Sequence, residues 1–98
     1  MSIMLIRYTV RPGQVTSNLQ LLREFFQELD AVRPQGLRYS SFQLDDQVSF
    51  AHLVESASGA APFASLPAYR AFRDTIAQRC VQPSTMSELH EIGTFISR

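Results

Sequence analysis

Residues 3–10 read Ile-Met-Leu-Ile-Arg-Tyr-Thr-Val, and this stretch decides the fold. In a strand, successive side chains point to opposite faces. Met4, Ile6, Tyr8 and Val10 then share one face, and Ile3, Leu5, Arg7 and Thr9 share the other. Both sets are largely apolar, which describes a central strand covered on two sides. Arg11-Pro12-Gly13 stops it.

Working outward, Val15, Leu19, Leu22, Phe26 and Leu29 step by three and four. With Phe25 and Val32 widening the stripe, they predict an amphipathic helix, capped at its start by Thr16 or Ser17 and ended by Pro34 and Gly36. Residues 37–44 predict a second strand, with Leu37, Tyr39 and Ser41 opposite Arg38, Ser40, Phe42 and Leu44. Residues 47–55 predict a third, with Phe50, His52 and Val54 on one face and Ala51, Leu53 and Glu55 on the other. The short turn at Asp45-Asp46 makes these two an antiparallel hairpin. Residues 56–64 read as a small, flexible surface loop. Leu66, Tyr69, Phe72, Ile76 and Cys80 predict one continuous helix over 66–80, and residues 85–97 a long last strand with a bulge at Gly93.

The order βαββαβ is the split-βαβ, ferredoxin-like α+β arrangement: a four-stranded antiparallel sheet with two helices on one face. Helices from one chain leave the other face bare. Because the first and third strands carry apolar residues on both sides, something must cover that face. A second copy of the same sheet, giving a homodimer, is the simplest candidate.

Composition agrees. Ninety-eight residues make one domain, here taken as 1–98. Charged residues form only 18% of the chain, against an average of about 25%. A chain short of surface charge has apolar area to hide. Nine basic residues balance nine acidic ones, and no basic tract is present. Nucleic-acid binding and attachment to an anionic membrane both need such a tract, so neither is expected. All nine basic residues are Arg, which leaves no lysine for Schiff-base chemistry. Cys80 is the only cysteine, so no intrachain disulfide forms. No apolar run approaches a membrane span, and a cytoplasmic location is the expectation.

Three stretches carry a resemblance. Tyr8-Thr9-Val10-Arg11-Pro12-Gly13-Gln14 leads into the Leu-rich helix; Gly36-Leu37-Arg38-Tyr39 follows that helix; and Phe50 to Glu55 precedes Pro67-Ala68-Tyr69-Arg70-Ala71-Phe72. Together they resemble the antibiotic biosynthesis monooxygenase family of the dimeric α+β barrel superfamily, over nearly the whole chain. The resemblance implies that two copies pair through their sheets into a barrel, often with the last strand reaching across to the partner. It also implies oxidation of an aromatic or quinol-type substrate by molecular oxygen without metal or flavin. The sequence departs from the family where Ser56, not Trp, follows Glu55, and where Ala68, not His, precedes Tyr69. Asn18 is the only Asn and there is no Trp, so the haem-degrading branch of the family is not expected.

Within this frame His52 is either a base or substrate-orienting group near neutral pH, or a buried histidine satisfied by hydrogen bonds. Tyr69, on the inner stripe of the second helix, would assist it from a cleft between helices and sheet. Phe50 and Phe72 would line a pocket for a small apolar or aromatic ligand. Arg38 would meet a ligand carboxylate, or pair with Glu55, Glu88 or Glu91. His90 offers a second imidazole. However, the first strand lies between the third and fourth in this strand order, which separates His90 from His52 by roughly 9–10 Å, too far to share one metal ion. No metal is therefore expected, and the resemblance implies no cofactor. Cys80 reads as an inert thiol. The alternative to catalysis is a non-catalytic barrel that binds a small ligand or serves as an accessory protein.

Overall fold

A computed structural model describes residues 2–98. The elements run β1 (Ser2–Thr9), a 3-10 turn (Pro12–Gln14), α1 (Val15–Val32), β2 (Leu37–Gln43), β3 (Ser49–Ser56), α2 (Pro67–Asp74), α3 (Ile76–Arg79) and β4 (Thr85–Leu89). The strands form one antiparallel sheet in the order β2-β3-β1-β4. This is the ferredoxin-like α+β arrangement, with β1 central as its two apolar faces predict.

Register assigns the two faces. Tyr39, Val54 and Met4 form one row across the sheet, Ser41, His52, Ile6 and Met86 the next, and Gln43, Phe50 and Tyr8 a third. Leu22 and Phe25 of α1 and Phe72 of α2 pack onto this side. On the opposite side the rows are Arg38, Glu55, Ile3 and Leu89; then Ser40, Leu53, Leu5 and Ser87; then Phe42, Ala51, Arg7 and Thr85. No helix of this chain covers that side, and Phe42 there is about half exposed.

The hairpin turn between β2 and β3 is held by Asp46. Its Oδ1 accepts from the backbone N–H groups of Val48 and Ser49 at 3.0 and 2.8 Å, and its Oδ2 from the Ser49 hydroxyl at 2.6 Å. These bonds to the ionised form hold the Asp46 carboxyl below its ordinary range.

Five local expectations are corrected. The helix α1 has no Thr16 or Ser17 cap. It continues directly from the 3-10 turn opened by Pro12, with Gln14 at the cap position and no side-chain cap. Its buried residues are Asn18, Leu22 and Phe25, so the core-facing stripe is rotated away from Phe26 and leaves Val32 exposed. The loop after β3 is not wholly a surface loop, because Phe63 is only 4% exposed and plugs the core between α1 and α2. The helix expected over 66–80 breaks at Thr75, whose hydroxyl donates back to the Ala71 carbonyl at 2.7 Å. Cys80 leaves the helix altogether and adopts an extended conformation, paired with Val10. Finally, β4 stops at Leu89, where its pairing with β1 ends opposite Ile3. Residues 90–98 form no strand with this chain, and there is no bulge at Gly93.

Candidate active site

His52 is the centre of the interior. Mid-strand position on the helix-facing side of β3 brings it under Phe72, whose ring stacks on the imidazole at 5.5 Å and 27°. It is 0% exposed. Burial drives its pKa down to about 4, so the ring is neutral at physiological pH. Both ring nitrogens are engaged by phenols: Nε2 with the Tyr8 hydroxyl at 2.9 Å, and Nδ1 with the Tyr39 hydroxyl at 3.0 Å. Burial raises both phenols well above their ordinary range, so they too stay neutral.

The polar chain continues beyond Tyr8. The Asn18 amide on α1 donates to the Tyr8 oxygen at 3.0 Å. The Asn18 carbonyl oxygen accepts from Nε of Arg79 at 3.0 Å. The same guanidinium donates to the Phe72 carbonyl at 3.0 Å and to the Thr75 hydroxyl, and lies 5.1 Å from the Phe72 ring centre. Arg79 is thus a buried cation held by neutral oxygens and a ring face. Among the described residues the ion pairs are those of Arg33 with Asp30 and of Arg73 with Asp74, both on the surface.

The sequence reading missed Asn18 and Arg79. The signal for Asn18 was present: positions 15, 18, 22, 25 and 29 form a helical stripe, and Asn18 is its one polar member. Arg79 carried no such mark, because a continuous helix over 66–80 sends its side chain elsewhere.

Tyr69 stands apart from this chain of bonds. It lies in the second half of the core with Phe63 at 4.8 Å and Phe25 at 5.3 Å between ring centres. It also lines a hollow of about 260 Å³, together with Met4, Ile6 and Val54 of the sheet, Phe63 and Gly59 of the loop, and Met86 of β4. The lining is mostly apolar, with Ser2 and Ser56 adding the remaining polar groups besides the Tyr69 phenol. Burial raises the Tyr69 hydroxyl above its ordinary value, so at neutral pH it is a hydrogen-bond donor.

The structure therefore brings His52 together with Phe50 and Phe72, around Tyr8. It places Tyr69 in an adjoining hollow that His52 does not line. Arg38 is exposed on the opposite side of the sheet, in register with Glu55. His90 is exposed beyond the end of β4. Burial raises the Cys80 thiol above its usual value, consistent with an unreactive side chain.

No protein-family model matches the sequence, and no curated protein matches it. Solved structures do match. A candidate antibiotic biosynthesis monooxygenase from Nitrosomonas europaea superposes with a TM-score of 0.79 at 18% identity, covering 95% of this chain and all of the other. An antibiotic biosynthesis monooxygenase gives 0.78 at 14% identity with the same coverage. The protein Rv0793 from Mycobacterium tuberculosis gives 0.76 at 16%, covering 95% of this chain and 96% of its own. At these identities the likeness is one of fold. The chain has, over nearly its whole length, the fold of structures described as antibiotic biosynthesis monooxygenases, as the stretches around Tyr8–Gln14, Gly36–Tyr39 and Pro67–Phe72 implied.

Proposed function

We propose that residues 1–98 act as one domain of a cofactor-independent, monooxygenase-like protein that oxidises a small aromatic or quinol-type substrate. The observation that carries this reading is the apolar hollow ending on Tyr69. At about 260 Å³ it lies just below the range of roughly 300–1,000 Å³ for drug-sized ligands, which suits one or two fused rings. Met4, Ile6, Val54 and Phe63 exclude water from the ring, and the protonated Tyr69 hydroxyl hydrogen-bonds its oxygen. His52, the other residue assigned to the chemistry, does not line the hollow and is a weak base. It acts as a positioning residue that holds Tyr8 and Tyr39 in place. With no base poised near neutrality in the hollow, the substrate hydroxyl must ionise readily by itself. The electron-rich ring then reduces oxygen: a phenol takes up one oxygen atom and leaves as a quinone. The second oxygen atom departs as water with two hydrogens from the substrate, so no outside reductant is needed.

A second copy completes the assembly in this reading. Ile3, Leu5 and Leu53 form an apolar centre on the sheet face that no helix covers, flanked by Arg38, Glu55 and Arg7. Residues 90–98 carry Ile92 and Phe95, 97% and 89% exposed, on a segment with no strand to pair with in its own chain. Both surfaces find their partner in a homodimer.

Oxygen uptake with 1-naphthol and hydroxyquinols tests the proposal. Turnover is expected in the native protein, with kcat at least tenfold lower in Tyr69→Phe. The sealing of His52 by Phe72 favours a second reading, a non-catalytic binding protein. Saturable naphthol binding with no oxygen uptake across the panel would replace the first reading by the second.

A further inference from the structure

The hydrogen-bond chain through the core has one direction, and its end is a donor with nothing to accept it. An arginine only donates, so the oxygen of Asn18 must face Arg79 and its NH2 must face Tyr8. Two arrangements then remain for the imidazole. If His52 Nε2–H donates to Tyr8 and Tyr39 donates to Nδ1, the Tyr8 proton is left over, deep in the core and with no acceptor. If Tyr8 donates to Nε2 and Nδ1–H donates to Tyr39, the proton left over belongs to Tyr39. The second arrangement is favoured, because a buried donor without a partner is costly and Tyr39, taken as a whole side chain, keeps more of its surface exposed than Tyr8.

Tyr39 lines a hollow of about 400 Å³ between α1 and the edge strand β2, with Phe26, Leu29 and Leu37. An adjoining hollow of about 440 Å³ shares Phe26 and Asp30 with it and reaches Ser41. The Ser41 hydroxyl oxygen is buried and has no hydrogen-bond partner among the described residues. Tyr39 and Ser41 thus line one groove as neighbours on the same side of β2, with the Ser41 oxygen just beneath its surface. The edges of the Phe26 and Tyr39 rings, 5.9 Å apart at 78°, and Leu29 and Leu37 form its apolar part, and Arg23, Gln27, Asp30, Arg33 and Gln35 form its polar rim.

We propose that this α1–β2 groove is a second small-molecule site, separate from the Tyr69 hollow, which takes a neutral aromatic ketone or quinone whose carbonyl oxygen accepts the Tyr39 hydroxyl proton. The Asn18 and Arg79 side chains are positioning residues for that donor, acting through Tyr8 and His52. An aromatic ring fills the width between Phe26 and Leu37, and the carbonyl supplies the acceptor that the protein lacks.

Acetophenone titrated into the 15N-labelled protein tests this directly. Saturable amide shifts are expected at Phe26, Leu37, Tyr39 and Ser41, with affinity weakened about fivefold in Tyr39→Phe, the loss expected for one neutral hydrogen bond. The native protein supplies a second arm, independent of how any variant folds. Ethylbenzene, of the same outline without the carbonyl, should bind about fivefold more weakly than acetophenone. Equal binding of the two probes would overturn the proposal, and so would shifts confined to Met4, Val54, Phe63 and Tyr69. That last outcome would leave the reading of the Tyr69 hollow standing, so the two sites are judged separately.

Discussion

Replacing Arg79 by Ala is expected to destabilise the fold by about 2–4 kcal/mol, through the lost hydrogen bonds of a buried guanidinium to neutral acceptors, offset in part by relief of its desolvation. Among the described residues the guanidinium is the sole hydrogen-bond donor to the Asn18 oxygen, and it is one of the donors to the Phe72 carbonyl. Its loss leaves the Asn18 oxygen buried without a partner, at a cost of about 1–3 kcal/mol, leaves the Phe72 carbonyl with only the long bond from Thr75, and removes the cation from the Phe72 ring. It also releases the break at Thr75, which the Arg79 side chain ties down. Urea unfolding measures the difference. A double-mutant cycle with Asn18→Ala should return a coupling above about 1 kcal/mol, because the two side chains share one bond. A loss below 1 kcal/mol for Arg79→Ala would show that the interior does not depend on this cation.

The second large effect is one of pH. The unfolded chain protonates His52 near the ordinary value of 6.5, whereas the folded chain does so only near 4. Between these values the unfolded state binds more protons, so stability falls as pH falls. The contribution of His52 is fully present above about pH 6.5 and is lost by about pH 4. The shift corresponds to about 3 kcal/mol. The carboxylate Asp46 has its folded value lowered as well, but from 3.8, so its loss comes below this window. Unfolding midpoints of the native protein and His52→Gln across pH 4–7 isolate the effect. The native protein should lose about 3 kcal/mol more than the variant over that range. Parallel profiles would mean that His52 is not held neutral by the fold.

Much of the framework could be read in the sequence because it rests on alternation. The two apolar sets of residues 3–10 required a central strand, and the same rule put Tyr8, Tyr39 and His52 on one side of the sheet. Their convergence follows from strand order, since β3 lies between β1 and β2. What could not be read was whatever depended on breaks in the pattern. A hydroxyl at Thr75 bonding back to Ala71 splits one helix into two and turns Arg79 inward, whereas helical spacing alone extends the stripe to Cys80. Likewise, the last strand has the composition to run to residue 97, but a strand needs a neighbour, and its pairing with β1 ends at Leu89 opposite Ile3. The sites followed the same division. Phe50 and Phe72 gather around His52 as their faces implied. Tyr69 reached its own hollow because Phe63, in a segment read as surface loop, fills the space between it and Tyr39.

Hydrogen bonds through the core run with one polarity: Arg79 to Asn18, Asn18 to Tyr8, Tyr8 to His52, and His52 to Tyr39. The 15N spectrum of the imidazole of His52 at pH 6 reads it most directly. A neutral ring with the proton on Nδ1 and none on Nε2 is expected, unchanged until the pH approaches about 4. A doubly protonated imidazolium at pH 6, or a proton resident on Nε2, would contradict it.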